Sequence, residues 1–487
     1  MTATTTQVSQ MAVPHAGELF IGSRWVGPSS DHVVDVVSPI DGSVVSTLPA
    51  VTIEDAKAAV SMARMAFLDG PWPTMPVSDR ISVVERFLDL LEEGLDATNL
   101  AWATEAGVPL TTAAAFGGGL SLSGRDSLRL AAELSFVEER DTAGGRVVVR
   151  REALGPVLAV MTYNGPTTEI GLSVIPSLLV GNPVIVKLPP ECRMVGHFLA
   201  DAADKAGFPE GVISFLTADT DVSKYLVAHE AVAGVHFTGG TEIGGEVAAV
   251  TGRRIARCTL ELGGKSAAIV LDDADLDKTL PMLMVMTTLQ GQVCNALTRI
   301  LVSRARHDEV VARLVEAFAD IKVGDPRDPE TMFGPLPTER VRARSEGYIE
   351  RAVAAGAKVA SGGGRPVGRD RGVFLEPTLL VNVTNEMEVA RNEIFGPVFC
   401  VIPYDDVDEA VAIANDSPFG LAGAVFTEDD HLAQEIAARV RVGTFWINAA
   451  APCLTAPYGG MKATGHGRVG GPEGFFDLTA LKQIVTG

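Results

Sequence analysis

Short apolar runs alternate with amphipathic stretches between residues 157 and 251. Each run has four or five residues, as buried parallel strands do, and the stretches between the runs have the apolar spacing of helices. Strands that alternate with helices predict a parallel sheet with helices on both faces, and such sheets bind ligands at the carboxyl ends of their strands. The predicted strands are Val157–Met161, Pro183–Lys187, Val212–Leu216 and Gly234–Phe237, and the predicted helices are 167–180, 194–206, 221–229 and 242–251.

The chain before this region predicts a polar tail, short β strands and then a series of helices. The tail covers residues 1–15, and helical periodicity begins near Thr52 and continues to about Glu133. A further hairpin is expected where the pattern changes, around the turn that contains Gly144 and Gly145. The predicted early strands are Leu19–Ile21, Arg24–Val26, Val33–Val36 and Val44–Leu48, and the first two helices are 52–67 and 78–94.

A second α/β unit begins after Gly263 and Gly264. An apolar run, Leu280–Leu289, predicts a buried helix that leads to Cys294. The glycines at 362–364 are typical of a surface loop, because no strand precedes them. The predicted strands are Ala267–Leu271, Ile300–Val302, Thr378–Val381, Phe399–Pro403 and Ala424–Phe426.

Composition narrows the functional class. A chain of 487 residues with 47% apolar and 21% charged residues predicts two or three globular domains. Its formal charge of −21 argues against nucleic acid and against an anionic membrane surface as partners. Five scattered cysteines without a CxxC pair argue against disulfides and against a metal site. No signal peptide or bilayer-spanning run is recognisable, so we expect a soluble, cytoplasmic protein.

Four side chains could carry chemistry. Cys294 follows an apolar run, two amides and a glycine, and a thiolate is well suited to attack a carbonyl, although most free cysteines are simply packed in cores. Glu261 lies between apolar residues, where burial would raise its pKa towards that of a general base, unless it is solvated or ion-paired. Asn164 follows a strand and could donate to an oxyanion or form an Asx turn. Lys187 ends a strand and could meet a hydroxyl or phosphate, or remain exposed.

These positions lie within motifs that resemble the NAD(P)-dependent aldehyde dehydrogenase superfamily. The resemblance extends from about Leu19 to Val485, and the motifs occur in the family's order. The motifs are Ser38-Pro39 with Gly42, Gly207–Val212, Phe237–Thr241, Leu260–Lys265, Gly291–Cys294, Glu393–Val398 and Pro457–Lys462.

The resemblance implies a role for each candidate. Cys294 would attack the aldehyde, Asn164 and the Cys294 N–H would stabilise the oxyanion, and Glu261 would activate the water that hydrolyses the acyl thioester. The cofactor would be NAD, with NADP as a second candidate, and the substrate a small aldehyde. The implied cofactor-binding residues are Met161, Thr162, Tyr163, Lys187, Pro190, Gly240, Ile243, Leu262, Gly263, Glu393 and Phe395.

Several positions depart from the family pattern. The acidic residue usual three positions after the lysine is Pro190, with Glu191 one step later, and on an extended segment Glu191 would face away. We therefore expect NAD to work but to be only weakly favoured over NADP. Ser173 and Val469 replace a lysine and a glutamate that could relay protons, so the proton is expected to leave by another route. Other departures are Gly165 for an aromatic residue in the substrate tunnel and Gly240 for a serine.

The implied fold is α/β, with a Rossmann-type parallel-sheet cofactor domain, an α/β catalytic domain and a small β oligomerisation arm. The cofactor domain would comprise 1–128 and 151–262, the arm 129–150 and 475–487, and the catalytic domain 263–474. The arm implies a homodimer or homotetramer. A CoA-acylating semialdehyde dehydrogenase is the main alternative, and the presence of Glu261 argues against it. A cysteine hydrolase and an inactive binding protein are more distant alternatives.

Overall fold

The computed structural model describes residues 10–485. The predicted tail therefore lies outside the described residues up to residue 9, as do the last two residues of the predicted arm. The helices are α1 Ile53–Leu68, α2 Val77–Glu93, α3 Leu95–Ala106, α4 Leu110–Glu133, α5 Pro166–Glu169, α6 Ile175–Leu179, α7 Arg193–Ala206, α8 Thr220–Ala228, α9 Thr241–Arg253, α10 Leu276–Met284, α11 His307–Ala319, α12 Glu339–Ala354, α13 Glu388–Arg391, α14 Val407–Asn415, α15 Asp430–Arg439 and α16 Gly471–Asp477.

The strands are shorter and form five sheets. They are β1 Leu19–Phe20, β2 Trp25–Val26, β3 Val33–Val37, β4 Val44–Pro49, β5 Val137–Thr142, β6 Gly145–Ala153, β7 Val157–Val160, β8 Val184–Leu188, β9 Ile213–Thr217, β10 Gly234–Thr238, β11 Arg257–Glu261, β12 Ala267–Val270, β13 Arg299–Ser303, β14 Lys358–Ser361, β15 Thr378–Val381, β16 Val398–Tyr404, β17 Phe419–Gly420, β18 Ala422–Phe426, β19 Thr444–Ile447, β20 Met461–Lys462, β21 Gly465–His466 and β22 Thr479–Val485.

The first large sheet has the order β2-β1-β9-β8-β7-β10-β11-β21, and β9, β8, β7, β10 and β11 are parallel. Val160 pairs with both Lys187 and Phe237, and Thr238 pairs with Glu261, so four strands end at one edge. The chain order reverses between β7 and β10, which is where open α/β sheets form a ligand crevice. The α/β fold predicted from the alternating pattern is confirmed.

The second large sheet has the order β14-β15-β16-β13-β12-β18-β19, with every neighbouring pair parallel except β14 and β15. Alternate residues of β12 pack in different hydrophobic cores on the two faces of this sheet. Ile269 packs in one core, and Ala268 and Val270 pack in the other. Gly264 and Cys294 lie just before β12 and β13, so the amino ends of this sheet adjoin the carboxyl edge of the first.

Strands β5, β6 and β22 form a separate antiparallel sheet, with Leu481 paired to Arg151 and Val485 to Val147. The hairpin expected near 129–150 starts later, because α4 continues to Glu133. Helix α16, which precedes β22, was not predicted. In residues 10–485, no helix is both long enough and apolar enough to cross a bilayer.

Two predicted helices are interrupted. The helix expected over 167–180 contains a π-helical turn, Ile170–Val174, between α5 and α6. Pro176 lacks an N–H and its ring crowds the carbonyl four residues earlier, so regular α spacing is disfavoured there. The helix expected to continue through Leu289 is also wrong: α10 ends at Met284 and a kinked 3₁₀ segment follows.

The cause of the second error is that this apolar run crosses between two cores. Leu283 and Met286 pack in the core of the second sheet, whereas Leu289 packs in the core beside the first. Strand β11 was missed for a different reason. Its sequence, Arg257–Glu261, has charged ends and few apolar residues, and it becomes a strand because β10 and β21 bond to it on both sides.

Candidate active site

The segment before Cys294 has an unusual backbone. Leu289, Gln290 and Gly291 all have positive φ, at 52°, 55° and 71°. A Cβ on Gly291 would lie 2.5 Å from the carbonyl oxygen of Gly396, so only glycine permits this approach. The tight turn places Cys294 at the junction of the two sheets.

The Cys294 thiol is partly exposed, and its Sγ lies 3.6 Å from the Tyr458 hydroxyl. Burial raises the pKa of the thiol to about 12, and the hydrogen bond with Tyr458 opposes that shift. Glu393, Glu261 and a third carboxyl, Glu169, raise the pKa further by their negative charge. The resting group is therefore a neutral thiol that needs local stabilisation to react as a thiolate.

Glu261 is the last residue of β11, and its side chain is 8% exposed. Burial raises its pKa to about 8, with Arg468 opposing the shift. Its Oε1 atom is buried and has no hydrogen-bond partner among residues 10–485. A Cβ on Gly459 would come within 2.6 Å of this atom, so the carboxyl lies against the chain that follows Tyr458. An orphaned carboxyl oxygen of raised pKa is suited to accept a proton.

Asn164 lies just after β7 and meets the cysteine loop. Its Nδ2 donates to the Gln292 carbonyl at 2.9 Å, and the Tyr163 hydroxyl donates to Gln292 Oε1 at 2.7 Å. An Asx turn, the alternative role for Asn164, would need the N–H two residues on, which Pro166 lacks. The amide therefore contacts the loop that carries Cys294, two residues before the cysteine.

Two glycines that follow Glu261 allow the Cys294 backbone and the Glu393 side chain to approach closely. A Cβ on Gly264 would lie 2.5 Å from the Cys294 carbonyl oxygen, and a Cβ on Gly263 would collide with the Glu393 carboxylate. The Gly264 N–H donates to Glu393 Oε1 at 3.1 Å. Burial raises the pKa of Glu393 to about 7, and the Gly264 hydrogen bond opposes it.

An aromatic contact closes this side of the site. The rings of Tyr163 and Phe395 meet edge to face, with centroids 6.1 Å apart, and Phe395 has a φ of 52°. The Trp102 indole N–H donates to the Tyr163 carbonyl at 2.7 Å and fixes the turn after β7.

The predicted cofactor residues other than Glu393 and Phe395 lie at or just after the ends of strands at the carboxyl edge of the first sheet or begin the next helix. Gly240 is the N-cap of α9 without a side-chain cap, a Cβ there would meet open space, and Ile243 is 49% exposed in the first turn. These free helical N–H groups suit a pyrophosphate. Lys187 is 8% exposed on β8, and burial lowers its pKa to about 8 while Glu191 opposes the shift. The residues present fit a dinucleotide.

The structure corrects the premise about Glu191. Residues Pro190–Cys192 form a 3₁₀ turn and not an extended segment, so the alternation of side chains along a strand does not apply. The negative charge of Glu191 opposes the fall in the pKa of Lys187 more than any other charge does, so the carboxylate is close enough to act on the lysine. Pro190 itself is exposed and contributes no acceptor.

Comparisons with known proteins agree with this geometry. The model of the aldehyde dehydrogenase family matches residues 25–484. The chain belongs to the aldehyde dehydrogenase family. It is 37% identical to a geranial dehydrogenase of Castellaniella defragrans, over 97% of this chain and 99% of that protein. It is 36% identical to a 3-succinoylsemialdehyde-pyridine dehydrogenase of a Pseudomonas species, over 96% and 98%.

Solved structures show the same fold. A Mycobacterium tuberculosis aldehyde dehydrogenase complexed with NAD+ superposes with a TM-score of 0.95 at 36% identity, over 98% of this chain and 99% of that one. A Pseudomonas syringae aldehyde dehydrogenase variant complexed with NAD+ and octanal gives 0.93 at 33% identity, over 98% of both chains. This aldehyde dehydrogenase is thus an oxidoreductase that converts aldehydes to carboxylic acids with a nicotinamide dinucleotide.

Several residues of the aldehyde dehydrogenase site were not singled out from the sequence. Tyr458 and Gln292 were noticed only as parts of motifs. Tyr458 forms a hydrogen bond with Cys294, and Gln292 accepts one from Tyr163. Glu169, the one charged residue in the helix predicted over 167–180, was overlooked. That exception to the apolar pattern was the signal that could have identified it.

Proposed function

We propose that this aldehyde dehydrogenase acts through covalent catalysis, with Cys294 as nucleophile, Asn164 as oxyanion donor and Glu261 as the base for hydrolysis. The observation that supports it best is the buried Glu261 Oε1, which has no hydrogen-bond partner among residues 10–485 and whose charge acts on the thiol. Tyr458 and Gly459 are consecutive, and one contacts the thiol while the other packs on the carboxyl.

The first step forms a carbon–sulfur bond. The Cys294 proton leaves to water in the open cleft, and the Tyr458 hydroxyl stabilises the thiolate by hydrogen bonding. Sulfur attacks the aldehyde carbon, and the carbonyl oxygen becomes an oxyanion. The second N–H of Asn164 Nδ2 and the Cys294 N–H are the donors for that oxyanion. When bound, the nicotinamide supplies the hydride acceptor, which leaves an acyl thioester on Cys294.

The second step hydrolyses the thioester. Glu261 takes a proton from a water molecule as its oxygen adds to the acyl carbon. The carbon–sulfur bond then breaks, the acid is released and sulfur leaves as the thiolate. The raised pKa of Glu261 makes it a stronger base than an exposed glutamate, which suits this role.

NAD is the proposed cofactor. The uncapped α9 N-terminus at Gly240 and Ile243 would hold the pyrophosphate, and Lys187 would bond the adenosine ribose. Glu191 on the lysine side supports a preference for NAD, because a carboxylate repels a 2′-phosphate. The M. tuberculosis relative was solved with NAD+. Glu393 and Phe395 would position the nicotinamide end, and Met161, Thr162, Tyr163, Pro190, Leu262 and Gly263 would line the rest.

The main alternative is transfer of the acyl group to CoA. A hydrolytic enzyme needs a water-activating base, and the buried Glu261 supplies one, so we favour the acid as product. Product analysis with and without added CoA distinguishes the two activities. Carboxylic acid at an unchanged rate supports hydrolysis, whereas CoA-dependent turnover yielding acyl-CoA contradicts it.

We also propose the domain division given by the resemblance: 1–128 with 151–262, 263–474, and an arm of 129–150 with 475–487. Strand β22 is an edge strand, and Leu481 and Val485 on it are 63% and 62% exposed. Exposed apolar residues on a free edge favour pairing with a second copy, hence a homodimer or homotetramer. Free cysteines support a cytoplasmic location.

A cysteine substitution tests the proposed function. Cys294→Ala should form no reduced cofactor with any aldehyde, while its affinity for NAD stays near that of the wild type. Cys258→Ala, on β11, is the matched control and should keep the wild-type rate. Substantial turnover by Cys294→Ala would refute covalent catalysis.

A further inference from the structure

Glu169 is a partly buried carboxyl that the proposed mechanism does not use. It ends α5, and its two oxygens face a single residue, Thr162. Oε2 accepts from the Thr162 N–H at 3.2 Å, and Oε1 makes a short hydrogen bond with the Thr162 hydroxyl. Its negative charge also raises the pKa of the Cys294 thiol. The group is therefore connected to the active site by both hydrogen bonds and charge.

The number of protons available for these hydrogen bonds determines the protonation state of Glu169. The Thr162 hydroxyl oxygen also lies 2.5 Å from Asn164 Oδ1. The orientation of the Asn164 amide is fixed, because its nitrogen faces the Gln292 carbonyl, which can only accept. Thr162 has one hydroxyl proton, so it can donate to only one of its two close oxygens. The other contact needs a donor, and Glu169 can provide it only as a neutral acid.

We propose that Glu169 is a positioning residue that holds the oxyanion donor Asn164 through Thr162. Its acid O–H donates to the Thr162 hydroxyl oxygen, and that hydroxyl donates to Asn164 Oδ1. The Asn164 nitrogen then keeps one N–H on the Gln292 carbonyl and directs the other to the oxyanion. The inference rests on the oxyanion role proposed above for Asn164.

The surroundings of Glu169 favour the neutral form. Loss of solvation raises its pKa to about 8, the Thr162 hydrogen bonds oppose the shift, and no charged side chain of the described chain is among its causes. The titratable groups on which its charge acts are two thiols, Cys294 and Cys192, whose pKa values burial also raises. Neither is a cation that would keep the carboxylate ionised.

The elements packed beside Glu169 add no neutralising charge. Helix α4 presents Gly119 and the Phe116 carbonyl to the neighbouring Thr168. The charged residues of α4 lie further along: Arg125 pairs with Asp89 and Glu92, and Asp126 pairs with Arg129.

Ionisation of Glu169 would disrupt this series of hydrogen bonds from Glu169 through Thr162 to Asn164. A carboxylate would draw the Thr162 proton, and Asn164 Oδ1 would then face a lone pair at 2.5 Å. The amide would turn away and the oxyanion would lose a donor. Because the pKa of the thiol is about 12 and that of Glu169 is about 8, the kcat/KM for aldehyde at saturating NAD should rise with pH as the thiol ionises and level off near pH 8, where loss of the Glu169 proton offsets the gain in thiolate.

The pH dependence of kcat/KM tests the proposal. Glu169→Gln places a neutral N–H donor on Thr162 and keeps an acceptor for its N–H, so it should stay within about threefold of wild type near neutral pH and continue to rise above pH 8. Glu169→Ala should lower kcat/KM about tenfold or more, part of the 10²–10³ typical of a lost oxyanion donor. Ser173→Ala, which removes a hydroxyl bonded to the Glu169 carbonyl, is the control and should keep the wild-type profile.

Thr162→Val separates positioning from a direct effect of charge on the thiol. Positioning predicts a loss similar to that of Glu169→Ala, with kcat/KM still rising above pH 8. If kcat/KM of Thr162→Val levels off near pH 8 as in the wild type, or Glu169→Gln is as impaired as Glu169→Ala, the proposal is wrong. Thermal unfolding and NAD binding by each variant show that it is folded.

Asn164→Ala distinguishes failure of this inference from failure of the proposed function. It should lose about 10²–10³ in kcat/KM, and adding Glu169→Ala to it should cost nothing more. A fully active Asn164→Ala would refute the oxyanion assignment itself. An impaired Asn164→Ala beside an unimpaired Glu169→Ala would refute only the positioning role.

Discussion

Three glutamates surround the Cys294 thiol, and burial raises the pKa of each. Glu261 and Glu169 have pKa values of about 8, and Glu393 has a pKa of about 7. The same lack of solvation that suits Glu261 to proton transfer also keeps the thiol neutral at rest. At the residue scale, the reactivity of the site is therefore a consequence of limited contact with water.

The pKa of Glu261 predicts the pH dependence of hydrolysis. Only its ionised form accepts a proton, so kcat should rise with pH until about 8 and then level off where hydrolysis limits the rate. Two pH units below the pKa, about one molecule in a hundred would have the base ionised. Steady-state kcat across this range is the measurement. A kcat that is flat through the pKa, with hydrolysis limiting, would contradict the role of Glu261.

Glu191 predicts cofactor preference. Glu191→Gln removes the charge on the lysine side of the ribose site, so the ratio of kcat/KM for NAD to that for NADP should fall by about tenfold, or 1.4 kcal/mol. Pro190→Glu should raise that ratio by adding a second carboxylate. Glu230→Gln, in an exposed turn after α8, is the control. An unchanged ratio in Glu191→Gln would show that another group reads the ribose.

The proposed catalytic residues were predictable to different degrees. Cys294, Glu261 and Asn164 each lie in a local context that suggests chemistry: a glycine turn, an apolar run, the end of a strand. Tyr458 could not be assigned, because its contact with the thiol joins positions 164 residues apart. The premise that Glu191 lies on an extended segment was wrong, because Pro190–Cys192 form a 3₁₀ turn.

At the scale of elements, close backbone contacts hold the site together. Gly264→Ala would place a Cβ 2.5 Å from the Cys294 carbonyl oxygen, which forces the cysteine loop to move. We expect destabilisation of about 1–3 kcal/mol and a large loss of kcat/KM. Gly252→Ala in α9, where a Cβ meets open space, is the control and should be neutral or slightly stabilising. Thermal unfolding and aldehyde turnover by Gly264→Ala that match the wild type would contradict this account.

Element prediction succeeded where one core receives the whole pattern. Strands β7, β8, β9 and β10 are short, mostly apolar runs, and the sequence locates them within one or two residues. Element prediction failed where one apolar run packs in two different cores, as at Leu280–Leu289. Strand β11 depends on its neighbours and could not be predicted from its own residues.

At the scale of the whole molecule, the active site is the junction of two sheets. The carboxyl edge of the first sheet supplies Glu261, Lys187 and Asn164, and the segments before the second sheet supply Cys294 and Glu393. The alternating pattern predicted each sheet. It did not predict that these edges face each other, because that depends on long-range packing.

The arm predicts the assembly state. Leu481→Lys places a charge in the middle of β22, where the leucine is 63% exposed, and should shift the protein towards monomers if this edge pairs with a second copy. Val367→Lys, at a fully exposed apolar residue, is the control and should leave the mass unchanged. Light scattering after size exclusion measures both. A Leu481→Lys variant with the wild-type oligomeric mass would contradict the arm's role.

Rapid mixing of Glu261→Gln with NAD and an aldehyde tests the division of labour between Cys294 and Glu261 most directly. The account predicts a burst of reduced cofactor of at most one equivalent per site, followed by slow turnover, while mass spectrometry finds the acyl group on Cys294. Steady-state turnover at the wild-type rate with no acylated Cys294 would contradict it.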